Sequence, residues 1–325
     1  MELLYLSKTE VQNLGVTMGQ ILEAVGAGLG MKGRGEVQMP QRATIRTVAD
    51  SYVHAMPVYA EGSEVCGAKW MSGYRSNPLN GLPYINGLMI LNDASNGVPV
   101  AVMDCAEITA MRTGATVGIA AKYLARDDSS VVGILGCGVQ ARRSLVALME
   151  VLPKLALVRC YDIAAEAADE FVAEMEAQFP LTSFVICDSV LDMVHFADVV
   201  VSATPIVDEP KPSLHAGMLK EGALAVALDY DASWSPAAKG EWARLVTDDV
   251  EHLAFAKVEG VHFRDMPLDG FDDLGDIVAG NAPGRVDETE RVLCLSLGTA
   301  VADIVVAKLL YDRALKHEIG RKLPL

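Results

Sequence analysis

The chain has 325 residues, 51% of them hydrophobic and 22% charged, which is enough apolar material for two domains with separate cores. That balance excludes a disordered or fibrous chain and suits an α/β enzyme rich in small residues. A formal net charge of −16 argues against nucleic acid and anionic membranes as partners, though not against a small anion held by a few arginines in a cleft.

Helix starts come first along the chain. Ser7 with Glu10, and Thr17 with Gln20, have capping-box spacing, and the second leads an amphipathic stretch to about Met31. Strand-like segments follow at 42–48, 52–58, 64–71, 85–92 and 99–103, divided by turn residues such as those of 93–97. Strands in succession, without helices between them, imply a mostly antiparallel or mixed sheet. Asp104 and Glu107 repeat the capping-box spacing and open a helix that runs to about Leu124.

The pattern changes at Ser130. An apolar run over 131–135 meets Gly136 and Gly138, and a helix-like segment over 142–150 follows. Strand, glycine-rich turn and helix start together bring a pyrophosphate onto the N–H groups of a helix N-terminus. Gly136 allows the tight turn, Gly138 lets the backbone approach the phosphates, and Ala141 lets the helix pack on the strand. The next strand ends at Asp162, placed to accept hydrogen bonds from ribose hydroxyls, which favours NAD over NADP. Strands at 131–136, 155–161, 183–187, 198–203, 223–229 and 244–247 alternate with helical stretches, as in a parallel, doubly wound sheet. The strand at 198–203 ends beside Thr204, where small and hydroxyl residues let a cofactor approach. A last helix over about 299–321 returns to the first domain. The expected fold is α/β: a Rossmann-type doubly wound parallel sheet over 116–304, inserted into an α+β domain made of 1–115 and 305–325.

Three cations lie in apolar or small-residue surroundings: Arg42, Lys69 and Arg112. A buried charge seldom stays unpaired, so each can pair with an acid of the chain. Together they suggest a carboxylate-binding pocket in which arginine forks grip and a lysine of lowered pKa donates a proton. Asp229 and Asp231 follow an apolar strand, and one of them can serve as a base toward water or an amine, or balance a substrate ammonium. A solvated loop position suits Asp229 better than Asp231. The histidines at 195, 215, 252, 262 and 317 have no metal-ligand spacing, so no metal is expected. The six cysteines show no close pairing, Met1 to Leu6 is too short and acidic for a signal, and no apolar run has membrane-spanning length. A cytoplasmic location is expected.

At these residues the chain resembles the ornithine cyclodeaminase/mu-crystallin family, which includes cyclodeaminases, certain alanine dehydrogenases, ketimine and pyrroline-carboxylate reductases, and mu-crystallin. The resemblance spans nearly the whole chain. It rests on Pro40 and Arg42, Met56-Pro57, Lys69, Gly81 to Pro83, Asp93 with Gly97, and Arg112-Thr113. It continues through the 136–141 turn, Val278 to Arg285, Ser296 to Gly298, and Asp303. It implies that the first domain binds substrate and also dimerises, giving a homodimer. It implies that Lys69 and Asp231 are catalytic and that Arg42, His54 and Arg112 bind substrate. Thr113, Gly136, Gly138, Val139, Gln140, Asp162, Thr204 and Ser296 would hold the cofactor.

The chain departs from the family pattern at three places. His54 stands where an ornithine cyclodeaminase has a glutamate for the distal amine, and a histidine that can itself become cationic is a poor ammonium anchor. Leu228-Asp229-Tyr230 replaces a glycine-rich segment, with Trp234 shortly after, and Cys294-Leu295 stands where a phenylalanine is usual before Ser296. Met56, Trp70 and Trp234 are expected to line the pocket. The expected activity is NAD-dependent interconversion of a small amino acid and its imine or keto acid. Redox-neutral deaminating cyclisation of a diamino acid is one alternative, with Asp229 as a possible amine anchor. A non-catalytic small-molecule-binding protein is another.

Overall fold

Leu4 and Leu6 are buried between less buried neighbours in β1 (Glu2–Leu6), so alternation already sets one face of this strand toward a core. Both capping boxes form, Ser7 with Glu10 on α1 (Lys8–Asn13) and Thr17 with Gln20 on α2 (Met18–Gly33), and each satisfies orphan backbone N–H groups. Then come β2 (Val37–Gln38), β3 (Ala43–Arg46), β4 (Ser51–Ala60), β5 (Val65–Tyr74), β6 (Ile85–Asp93) and β7 (Pro99–Asp104). The helix α3 (Cys105–Leu124) begins where Asp104 accepts the N–H of Glu107 at 3.0 Å. The alternating region holds β8 (Val131–Leu135), α4 (Val139–Val151), β9 (Leu157–Tyr161), α5 (Ala165–Gln178), β10 (Ser183–Ile186), α6 (Val190–Val194), β11 (Val199–Ser202) and β12 (Leu224–Ala227). It continues with α7 (Pro236–Lys239), β13 (Arg244–Thr247), α8 (Val250–Glu259), β14 (Phe271–Asp273), α9 (Leu274–Ala279) and β15 (Val292–Leu295). The chain closes with α10 (Ala300–His317) and β16 (Arg321–Pro324).

This computed structural model describes residues 1–61, 64–207, 209–259, 262–267 and 269–325. Two compact units emerge: unit 1 is Met1–Arg112 with Thr299–Leu325, and unit 2 is Thr113–Gly298. The crossings fall inside α3 and just before α10, a few residues from the boundaries expected at 115/116 and 304/305.

In unit 1 the strands run β16-β1-β7-β6-β5-β4-β2, with β3 paired to β4. β4 to β7 are antiparallel neighbours while β1 lies parallel to β7, so the sheet is mixed. Its inner face buries Leu6, Met56, Met71, Met89 and Met103, and α10 packs against β4, β5 and α2. The expected pocket lining needs correction here. Lys69 and Trp70 are consecutive in β5, so their side chains leave opposite faces: Lys69 is fully buried and Trp70 is 50% exposed. The last helix also ends earlier than expected, at His317. Glu318 takes a left-handed φ of 54°, and Arg321 to Pro324 then pair antiparallel with β1.

Unit 2 is one parallel sheet in the order β10-β9-β8-β11-β12-β15-β13-β14. β11, β12 and β15 are buried along their whole length, which explains their unbroken apolar runs. β15, as short and as buried as β11 and β12, was not among the expected strands. Trp234, expected in the pocket, belongs instead to the core of this unit with Tyr230 and Phe263, and its indole N–H donates to Ser202 Oγ at 3.2 Å.

Candidate active site

Unit 1 gathers its polar groups on the inner face of the sheet. Strand register pairs Met56 with Lys69 and His54 with Met71, so His54 and Lys69 share that face. Lys69 Nζ is fully buried, 2.5 Å from Asp303 Oδ2 and 3.5 Å from Thr109 Oγ1. Arg112 Nε donates to Asp303 Oδ1 at 3.0 Å. Burial, and less strongly the Arg112 charge, lower the pKa of Lys69 while Asp303 opposes both, leaving it at about 8. Two of the three cations are therefore joined through one carboxylate, so the pocket expected from the sequence is not a bare cationic one. The cluster keeps a net positive charge. Arg42 lies just before β3, half-buried, and the next residues of β3 pair with β4, where Thr44 Oγ1 meets His54 Nδ1 at 3.0 Å. Tyr52 stacks on the His54 ring with centroids 4.3 Å apart.

Asp303 is the member of this cluster that sequence reasoning underused. Its signal was there: one acid inside the apolar run of 300–307, the part of the helix that is buried all round.

Unit 2 assembles its residues along one edge. Register places Leu135 beside Tyr161 and Ser202, Ser202 beside Ala227, and Ala227 beside Leu295, so five parallel strands end together. Gly136, Asp162, Thr204, Asp229, Asp231 and Ser296 all follow those ends. The strand order reverses between β8 and β11, the place where open α/β sheets bind ligands. Gly136 has φ +85°, and a Cβ there would lie 2.8 Å from Ala203 O, so the turn admits only glycine. Gly138 is the N-cap of α4 with no side-chain cap, and a Cβ on it would meet nothing within 4 Å. Open N–H groups under free space fit a pyrophosphate. Val139 is 62% exposed, Gln140 is half-buried beside it, and Thr113 is buried at the start of this unit.

Asp162 does more than wait for a ribose: its Oδ2 accepts Cys137 N–H at 2.7 Å and its Oδ1 accepts Ala164 N–H at 2.9 Å. Ser296 Oγ donates to Asp248 Oδ2 at 3.2 Å, and Asp248 also accepts the N–H groups of Leu297 and Gly298.

The two strand-end acids sit in unlike surroundings. Asp229, read from the sequence as a solvated loop acid, is fully buried and accepts hydroxyl hydrogen bonds from Ser202 at 2.7 Å, Thr204 at 2.6 Å, and Ser233. Burial raises its pKa, and those hydroxyls only oppose the shift. Asp231 instead meets Lys239 Nζ at 2.8 Å and Phe263 N–H at 3.0 Å, with His262 Nδ1 at an ion-pair distance of 3.6 Å. Burial raises the Asp231 pKa too, but the His262 ring, the Lys239 charge and the Phe263 N–H outweigh it and hold the carboxyl at about 2. Nothing in the sequence pointed to Lys239 or His262, eight and thirty-one residues further on. Among the described residues, no group of three His, Cys, Asp or Glu is arranged to hold a metal.

Fold and residues define a two-unit α/β protein with a dinucleotide-type turn in one unit and a buried Lys–Asp–Arg cluster in the other. The chain belongs to the ornithine cyclodeaminase/mu-crystallin family, whose model matches residues 1–318. It is 34% identical to an alanine dehydrogenase of Archaeoglobus fulgidus, over 99% of this chain and 98% of the relative. Among solved structures, a Thermococcus litoralis Δ1-pyrroline-2-carboxylate reductase in complex with NADH and L-proline superposes with a TM-score of 0.89 at 31% identity, covering 99% of this chain and all of that one. An archaeal alanine dehydrogenase dimer with bound NAD gives a TM-score of 0.88 at 32% identity, with full coverage of both chains.

Proposed function

We propose that this protein is an NAD-dependent oxidoreductase interconverting a small amino acid and its imine or keto acid. The observation that carries the reading is the uncapped N-terminus of α4, under open space, at the reversal of strand order. The dehydrogenase and reductase relatives support it. Unit 2 is read as the NAD-binding domain, with Gly136, Gly138, Val139, Gln140 and Thr113 at the phosphates, Asp162 at the ribose, and Thr204 and Ser296 along the cofactor. When bound, the nicotinamide supplies or accepts a hydride.

Unit 1 is read as the substrate domain. Arg42 and Arg112 hold the substrate carboxylate, which orients C2, and His54 contributes to the same face. Lys69, with its pKa of about 8, exchanges a proton with the substrate nitrogen or carbonyl oxygen near neutral pH. Asp231, held ionised at physiological pH, balances the positive charge of an iminium or ammonium. The cyclodeaminase alternative loses ground, since Asp229, its possible amine anchor, is buried and spent on three hydroxyls.

The outer face of the unit 1 sheet exposes Ile45, Trp70 and Leu88, with Trp70 directly opposite Leu88 in register. A contiguous exposed apolar patch marks an association surface, and we assign the cover to a second copy of the chain. A cytoplasmic location accords with six free cysteines, and no helix among the described residues is long and apolar enough to cross a membrane.

The test is nicotinamide absorbance during incubation with 2-oxo acids plus ammonia or methylamine, cyclic imino acids, and ornithine, with ammonia release followed in parallel. Net NADH consumption is expected with an imino or keto acid. Ammonia from ornithine without net NADH change would replace this reading with cyclodeamination.

A further inference from the structure

We infer that Asp303 is a positioning residue: a single counter-ion built into α10 that fixes the aim of both Lys69 and Arg112 and keeps Lys69 protonated. The inference rests on the reading of Lys69 as the proton-exchanging group. Its basis is geometric. Lys69 and Asp303 are both wholly buried, and the two oxygens of Asp303 are divided between the cations, Oδ2 to Lys69 at 2.5 Å and Oδ1 to Arg112 Nε at 3.0 Å. Thr109 Oγ1 at 3.5 Å gives Lys69 a second direction. An ammonium has three donors, so Asp303 and Thr109 orient the third. On Arg112 the contact to Asp303 runs through Nε at 3.0 Å.

One carboxylate between two cations also sets the charge. Without it, two buried cations would face each other, and the one able to lose a proton is the lysine. With it, the cluster stays positive by one charge, enough for a single substrate carboxylate. The ionisable groups facing Lys69 are Asp303 from α10, and Arg112 and Cys105 from α3, with His54 on the same sheet face one strand away. Burial holds the Cys105 thiol up at about 12, so it stays neutral through the working range. Asp303 is thus the group whose charge decides the protonation of Lys69.

A carboxylate that merely ties α10 to β5 and α3 would make a different prediction. Asp303→Asn keeps the shape and an acceptor oxygen while removing the charge. In full-length protein labelled with 15N-lysine, the Lys69 Nζ titration, assigned by loss of the signal in Lys69→Arg, is expected to move at least one pH unit lower in Asp303→Asn. In the reductive direction, the alkaline limb of kcat/KM is expected to move down with it. Activity at pH 8 should fall at least about fivefold and recover in part at pH 6, and Asp303→Glu should restore part of the limb. An unchanged Nζ titration and alkaline limb in a folded Asp303→Asn protein would overturn the inference. If Asp303→Asn does not fold, Asp303→Glu carries the test: a raised KM and a shifted limb support the inference, and wild-type values for both overturn it. The Nζ titration needs no turnover, so failure of the oxidoreductase reading and failure of the Asp303 role remain separable.

Discussion

Two buried clusters, one in each unit, treat charge in opposite ways. In unit 1 one carboxylate, Asp303, serves two cations, and the surplus is positive. In unit 2 two carboxylates lie two residues apart and only one has a lysine, so the surplus is negative unless a proton relieves it. A buried charge needs a partner, and where none is supplied the group gives up the charge instead. Asp231 has Lys239 and is held ionised, whereas Asp229 has only hydroxyls and is pushed toward the neutral acid. The same residue type, at the end of the same strand, thereby acquires two chemistries. The positive cluster suits a carboxylate, and the ionised Asp231 suits a cationic nitrogen.

The largest expected effect is on turnover. Lys69→Met keeps much of the buried stem and removes the proton, so kcat should fall by roughly 10² to 10⁴, with NAD affinity nearly unchanged by fluorescence titration. Retention of near-wild-type kcat would remove Lys69 from the proton path. The next effects separate the two acids. Asp231→Asn leaves Lys239 buried without its counter-charge and should cost about 3 kcal/mol in urea unfolding. Asp229→Asn replaces a group already biased toward neutrality and should cost about 1 kcal/mol. Equal losses would erase the distinction drawn between them.

The dependence on pH sharpens the same contrast. Asp229 has a raised pKa in the folded state, so the stability it contributes is present below its ordinary value near 3.8 and is lost as pH rises through the folded value. Asp231 has a lowered one, so its contribution is present above about 3.8 and is lost as pH falls toward 2. Asp229→Asn should therefore flatten the stability profile above about pH 3.8, and Asp231→Asn below it, in denaturant titrations across pH. The smallest effect is at the ribose. Asp162→Ser should weaken NAD about tenfold, near 1.4 kcal/mol, and weaken NADP less, in parallel fluorescence titrations. An unchanged ratio would leave Asp162 only its task of holding Cys137 and Ala164 N–H.

Local chemistry is what the sequence carried well. Capping boxes at Ser7 and Thr17, the strand–turn–helix around Gly136, and the end of α3 at Leu124 depend on residues within a few positions of one another. Spacing therefore reports them directly. The apolar runs of β8, β11 and β12 were legible for the same reason, while the equally short β15 went unread because periodicity alone cannot identify so short an apolar run.

The chain by itself determined which residues are able to do chemistry: Arg42, Lys69, Arg112, Asp229, Asp231 and the glycine turn all stand out by type and surroundings. Their partners were decided by tertiary structure alone. Asp303 reaches Lys69 across 234 residues of sequence because α10 returns to the sheet of unit 1, and Lys239 and His262 reach Asp231 through loops with no periodic pattern. Whether Trp70 faces a core or solvent was likewise settled by strand register, which puts it opposite to Lys69. The reason is physical: a side chain's identity fixes the charge it can carry, but burial and counter-charge fix whether it carries it, and both arise from contacts distant in sequence.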